Sequence, residues 1–148
     1  MALRFRASHR SIPLTRTFLM SSPSDISGGC YCGKVRFKAT GPTLSQANCH
    51  CSNCRRAAGA QSVAWITVPP SKFKFVSGEP KRYRTETGAY RTFCTDCGTS
   101  LTYEHESRPD EIDITTGSLD EPEAFAPTKD VFADEKLSWV PLVSQRTS

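Results

Sequence analysis

Seven cysteines fall into three groups: Cys30 and Cys32 in GGCYCG, Cys49, Cys51 and Cys54 in NCHCSNC, and Cys94 and Cys97 in FCTDCG. Pairs and triples this close suit a tetrahedral metal, because a short loop turns several sulfurs toward one point. Zinc is the first expectation, and the odd count sharpens it. Two four-thiolate sites need eight sulfurs, so one centre must lack a cysteine ligand. A zinc with an open coordination position is a reactive zinc. Pairing into disulfides is the weaker alternative, since secreted disulfide scaffolds are usually shorter and rarely carry an odd cysteine in a C-x-C-x-x-C run.

Cys30-x-Cys32 before Gly33 and Cys94-x-x-Cys97 before Gly98 read as two halves of one closed site. Glycine after each pair allows a tight turn whose N–H groups point at the sulfurs and stabilise the metal-bound thiolates. Four thiolates leave no vacancy, so this site is expected to be structural, and loss of any one cysteine should mainly unfold the domain.

Cys49-x-Cys51-x-x-Cys54 offers three sulfurs within six residues. Three thiolates on Zn²⁺ leave a net negative charge if the fourth ligand is neutral. That makes the metal a weak Lewis acid toward water but a good holder of a soft thiol. A thiol bound there is a thiolate at neutral pH and can attack a carbon electrophile. Thiol activation therefore suits the triple better than hydrolysis. The alternative is a Cys3His knuckle in which His50 or His105 fills the fourth position. His50 lies between two cysteines, and in an extended segment its side chain should point away from theirs.

The elements that must position these groups are short strands. Lys34 to Ala39 alternates Val35, Phe37 and Ala39 with Lys34, Arg36 and Lys38, the period-two signature of a strand with one buried face. Strands are likewise expected at Ser62 to Val68, Lys72 to Val76, Lys81 to Thr85, Tyr90 to Phe93, Ser100 to Tyr103 and Glu111 to Thr116, separated by Pro and Gly. One short helix is expected at Ser52 to Ala58, capped by Ser52 or Asn53 and stopped at Gly59. Residues after Pro122 read as irregular, with a turn at Lys129 to Glu135. The expectation is a mostly β, antiparallel domain in which the outer cysteine groups tie the start of the sheet to its far side.

In this order, the motifs GGCYCGKVRF, CHCSNCRRAAGA and FCTDCGTSL resemble the glutathione-dependent formaldehyde-activating enzyme family, also called the GFA or CENP-V/GFA domain. The likeness covers roughly residues 27–141 and includes Val131 to Pro141 with Ser138-Trp139. It implies a zinc-stabilised β-tent-like single domain. It also implies two zinc ions per chain, a structural one on Cys30, Cys32, Cys94 and Cys97 and a catalytic one on Cys49, Cys51 and Cys54. The family's prototype reaction joins glutathione to formaldehyde to give S-hydroxymethylglutathione, a carbon-sulfur lyase step run backward. The competing expectation, from a different class, is a non-catalytic binding module in which both metals are structural.

Other residues carry weaker signals. Arg55 and Arg56 could clamp a carboxylate of glutathione or another anionic thiol, or could form a solvated helix face. Asn48 and Asn53 could donate to sulfur or cap turns, and Gln61 and Ser62 could face the same pocket. Trp65, Phe73, Phe75, Phe93 and Trp139 are expected in the core or pocket wall. His105 sits in an acidic stretch and reads most simply as a surface-loop residue.

The formal charge of +4 over 148 residues hints at nucleic acid until it is located. Residues 1–24 hold Arg4, Arg6, Arg10 and Arg16 without an acid, whereas the rest holds 15 of the 19 Lys and Arg against all 15 Asp and Glu. A neutral domain has little counterion release to offer, so DNA or RNA binding is disfavoured. With no apolar run of membrane-spanning length, the expectation is a soluble, cytoplasmic protein. The leader leaves three readings open: a mitochondrial transit segment, a disordered extension, or a start at Met20. Residues 25–144 are expected to form the zinc domain and 145–148 a tail.

Overall fold

The computed structural model describes residues 24–145, so the expectations for the leader and most of the tail lie outside the described residues. Ten strands and one α-helix follow in chain order: β1 Asp25–Gly29, β2 Arg36–Thr40, β3 Ser45–Cys49, α1 Ser52–Ala58, β4 Val63–Val68, β5 Phe73–Ser77, β6 Lys81–Arg84, β7 Ala89–Phe93, β8 Ser100–His105, β9 Ile112–Thr115 and β10 Lys129–Val131. They form a three-stranded sheet, β1-β2-β5, and a seven-stranded sheet, β10-β3-β4-β9-β8-β7-β6. Every pair is antiparallel except β10 with β3. The protein is thus mostly β, as the alternating pattern predicts. Among the described residues no helix is long and apolar enough to cross a membrane.

The alternation in β2 is realised as expected, with Phe37 and Ala39 buried between the more exposed Arg36, Lys38 and Thr40. Phe37 joins Ile66, Val68, Leu101 and Ile114, all without exposed surface, in a main core between the two sheets. Burying each such side chain contributes about 1.5–3 kcal/mol. β1 also meets the segment after β9 at an isolated bridge between Gly28 and Leu119. A Cβ on Gly28 would lie 2.4 Å from both Phe37 Cζ and Ser118 O, so only glycine allows that approach.

Three strands were not visible in the sequence. Apart from the buried Ile26, β1 (DISGG) and β3 (SQANC) hold small or polar residues, and their extended form is imposed by pairing, β1 onto β2 and β3 between β4 and β10. β10 begins where a turn was expected, and a 3-10 turn at Ala133–Glu135 follows it. Helix α1 spans the expected residues and ends at Gly59 in the left-handed region, φ 62°. Its cap is Cys51, however, whose Sγ accepts the Cys54 N–H at 3.3 Å. The cysteine placed for metal binding also satisfies the helix start. Trp139 departs from expectation, being 71% exposed in the C-terminal irregular segment rather than packed.

Candidate metal centres and the cavity they face

The seven thiols are free and fall into the two groups that their spacing predicts: the sulfurs of Cys30, Cys32, Cys94 and Cys97 all lie within 4.8 Å of one another, as do those of Cys49, Cys51 and Cys54. In the first group Cys30 and Cys32 are 3.5 Å apart, and Cys32 and Cys94 are 3.8 Å apart. A disulfide needs about 2.05 Å. Four sulfurs about 2.3 Å from a tetrahedral zinc stand roughly 3.8 Å from each other, so this spacing fits a shared ion. Either group could hold a metal.

The four-sulfur group is built from two turns. Cys30 and Cys32 lie in the β1–β2 connection and Cys94 and Cys97 in the β7–β8 connection, so the group joins the small sheet to the large one rather than two sides of one sheet. Gly33 (φ 79°) and Gly98 (φ 75°) close the turns in the left-handed region, where a side chain is strained. The Val35 N–H points at Cys30 Sγ at 3.2 Å. Thr99 bridges the turns: its hydroxyl accepts the Tyr31 N–H at 3.0 Å and lies 3.3 Å from Cys97 Sγ. That contact, with the Thr99 backbone, holds the Cys97 thiol down to about 5. Cys32 is pushed up to about 12: the Lys34 backbone N–H pulls it down, but Cys30, burial and the other sulfurs outweigh it. Adjacent sulfurs cannot all carry charge without a cation among them, which is what a metal supplies.

The three-sulfur group has a different setting. Alternate residues of five strands, Ala47 and Cys49, Trp65 and Thr67, Arg91 and Phe93, Tyr103 and His105, and Lys129 and Val131, line a cavity of about 1370 Å³ on one face of the large sheet. Ile66, Val68, Ile112 and Ile114 carry the main core from the same sheet. Helix α1 walls the cavity with Asn53, Cys54, Arg56 and Ala57. Cys49, Cys51 and Cys54 all open onto it, and none of the other four cysteines does. Trp65 packs beside Tyr103, ring centroids 6.2 Å apart, and Trp65 forms a small core with the buried Cys49, Cys54 and Val63 against which Tyr103 packs.

Arg91 is the residue that sequence reasoning missed. It stands opposite Tyr103 in the β7–β8 register, its guanidinium is 4.8 Å from that ring's centroid, and its Nη2 donates to Cys54 Sγ at 3.6 Å. The Cys54 thiol is held down to about 5, first by its hydrogen bond with Cys49, then, against burial, by Arg91 and Cys51. Cys49 is pushed far up by the same contact with Cys54 and by burial. Within the expected strand at Tyr90 to Phe93, alternation would have put Arg91 and Phe93 on one face. Nothing in the chain says which element that face meets.

Of the expected clamp, only Arg56 lines the cavity; Arg55 turns away and donates through Nε to His50 O at 3.2 Å. His50 faces away from the sulfurs, as alternation predicts, with no exposed surface and Nε2 2.7 Å from Asp130 Oδ1. His105 lines the cavity, but its Nδ1 is engaged by the Ser107 N–H and hydroxyl at 3.1 and 2.7 Å. Asn53 lines the cavity, whereas Asn48 bonds toward His50 and Asp130 instead of sulfur. Gln61 and Ser62 lie outside the cavity wall.

A mostly β protein with two sulfur-rich sites able to hold metal, one closed between two sheets and one open to a large cavity, is the class that fold and site define. Residues 25–135 match the family described as glutathione-dependent formaldehyde-activating enzyme, and the chain belongs to that family. It is also similar to the crystal structure of a Rhodobacter sphaeroides protein solved as a structural-genomics target. The two share 27% identity and a TM-score of 0.54, over 64% of this chain and 87% of that one.

Proposed function

We propose that this protein is a zinc-dependent carbon-sulfur lyase or synthase that adds a small thiol, such as glutathione, to formaldehyde or a related aldehyde. Cys49, Cys51 and Cys54 hold the reactive zinc, and Cys30, Cys32, Cys94 and Cys97 hold a structural one. The observation that carries this reading is the division of the sulfurs, four closed between two turns and three opening on a cavity. Membership of the family supports it.

Zinc on three thiolates would supply a soft position for an incoming thiol and keep that thiol ionised at neutral pH. The chain supplies the rest. Trp65 and Tyr103 present an apolar wall beside the sulfurs, and Arg56 and Lys129 bring cations to the cavity wall, suited to the carboxylates of an anionic thiol. In the addition, the thiol gives up its proton, the sulfur lone pair forms the bond to the carbonyl carbon, and the carbonyl π pair moves to oxygen, which takes a proton. The reverse sequence breaks the carbon-sulfur bond and releases aldehyde.

The test is to mix zinc-loaded protein with glutathione and formaldehyde and follow adduct exchange by NMR. Exchange faster than the uncatalysed background is expected; background rates would remove this substrate pair. X-ray absorption showing four protein ligands at both zincs would instead favour the non-catalytic module.

A further inference from the structure

We infer that Arg91 is a catalytic residue of this site, the donor that receives the aldehyde oxygen as it gains charge, with Tyr103 and Cys54 holding its guanidinium in place. This rests on the thiol-addition reading above. The two arginines that flank the Tyr103 ring are not equivalent. Arg108, 5.8 Å from the ring centroid, is neutralised by Glu111 and by Asp113 at 2.8 Å. Arg91, on the cavity wall, forms no ion pair with a carboxylate among the described residues and touches Cys54 Sγ instead.

A guanidinium carries five N–H donors in one plane and stays charged at any working pH. Its cation–π contact with Tyr103, 4.8 Å from the ring centroid, restrains its position. The sulfur contact uses one N–H, so donors remain for a guest in the cavity. The chemistry needs such a donor. When the thiolate sulfur bonds to the carbonyl carbon, the π pair becomes an alkoxide beside a centre already rich in negative charge. An N–H of Arg91 donating to that oxygen offsets the charge until water protonates it, with no oxidation or reduction. In the reverse direction the same contact stabilises the alkoxide from which the carbon-sulfur bond breaks. Preorganised donors of this kind are commonly worth about 10²–10³ in turnover.

Arg91→Met and Arg91→Lys would be compared with wild type for exchange kinetics, with zinc per chain and circular dichroism measured on the same samples. The expected result for Arg91→Met is a fall in kcat of about 100-fold, with unchanged zinc content and little change in the KM for the thiol. Arg91→Lys should recover only part of the loss, and added guanidinium should restore rate to Arg91→Met. Turnover of Arg91→Met within about threefold of wild type would overturn the proposal. So would a loss accounted for wholly by missing zinc, which would make Arg91 a support for Cys54 alone. If wild type itself gives only background exchange, the thiol-addition reading fails first and this proposal falls with it.

Discussion

Asp130 Oδ1 lies 2.7 Å from Nε2 of His50, a side chain with no exposed surface that sits in sequence between two cysteines of the cavity group. Asp130 also accepts the Val143 N–H at 2.6 Å through its other oxygen and the Asn48 amide at 3.3 Å. Burial pushes its carboxyl up, but these hydrogen bonds outweigh that and hold it below the usual carboxylate range. Nearby, the His50 N–H bonds to Val131 O at 3.1 Å, and the Ser52 N–H to Glu135 Oε2 at 2.8 Å. Residues 130–135 therefore fasten the loop that carries Cys49, Cys51 and Cys54 at three successive points.

Replacing Asp130 with alanine should leave a buried imidazole without its main partner. The expected cost is about 2–3 kcal/mol, seen as a lower Tm in calorimetry, with Asp130→Asn milder. Zinc should be lost from the cavity site first. A Tm unchanged within error would mean that the contact does not hold the loop.

The two sulfur groups should respond differently to deletion. Cys94→Ser removes a strut between the sheets and should give a largely unfolded chain by circular dichroism. Cys51→Ser should stay folded and lose one zinc, with the helix cap kept, because a serine hydroxyl accepts the Cys54 N–H in place of the sulfur. Equal unfolding by both would contradict the division into structural and reactive centres.

Gly28→Ala should destabilise by about 1–3 kcal/mol, because its methyl would press on Phe37 and on the Ser118 carbonyl where β1 meets the segment after β9. Urea titration reads this directly. Gly117→Ala, where an added Cβ meets nothing within 4 Å, serves as the control.

Asp120 links β1 and β2 to the segment after β9. It accepts from Arg36 at 2.5 Å and from the Ser27 hydroxyl at 2.6 Å, and these bonds, Arg36 first, lower its carboxyl against burial. A lowered folded-state value means that the stabilisation is complete above the unfolded carboxylate range, about 3.9, and fades as pH falls through the folded value. Both side chains are partly exposed, 37% and 42%, so solvent screening keeps the term near about 0.5–1 kcal/mol. Asp120→Asn should therefore trail wild type by that amount at pH 7 and converge with it as pH falls through the lowered folded-state value. A gap that stays constant with pH would show that the carboxylate charge contributes nothing.

Legibility varied with the range of the interaction. The strand around Phe37, the helix at Ser52 to Ala58 and the stop at Gly59 were readable, because side-chain alternation and a left-handed glycine act within a few residues. β1 and β3 were not, since their small polar residues extend only when neighbouring strands supply hydrogen bonds. Trp139 is exposed against expectation because aromatic character alone does not say whether a surface exists to cover it.

The closeness of sulfurs within each pair and within the triple belonged to the first kind, because only one or two residues separate the cysteines, whereas Cys32 meets Cys94 across 62 residues only through the fold. The surroundings of the open group belonged to the second. Arg91 reaches Cys54 across 37 residues and Asp130 reaches His50 across 80, and both contacts follow from sheet order and register. Register is set by the summed packing of a whole face, a quantity no local stretch of chain contains.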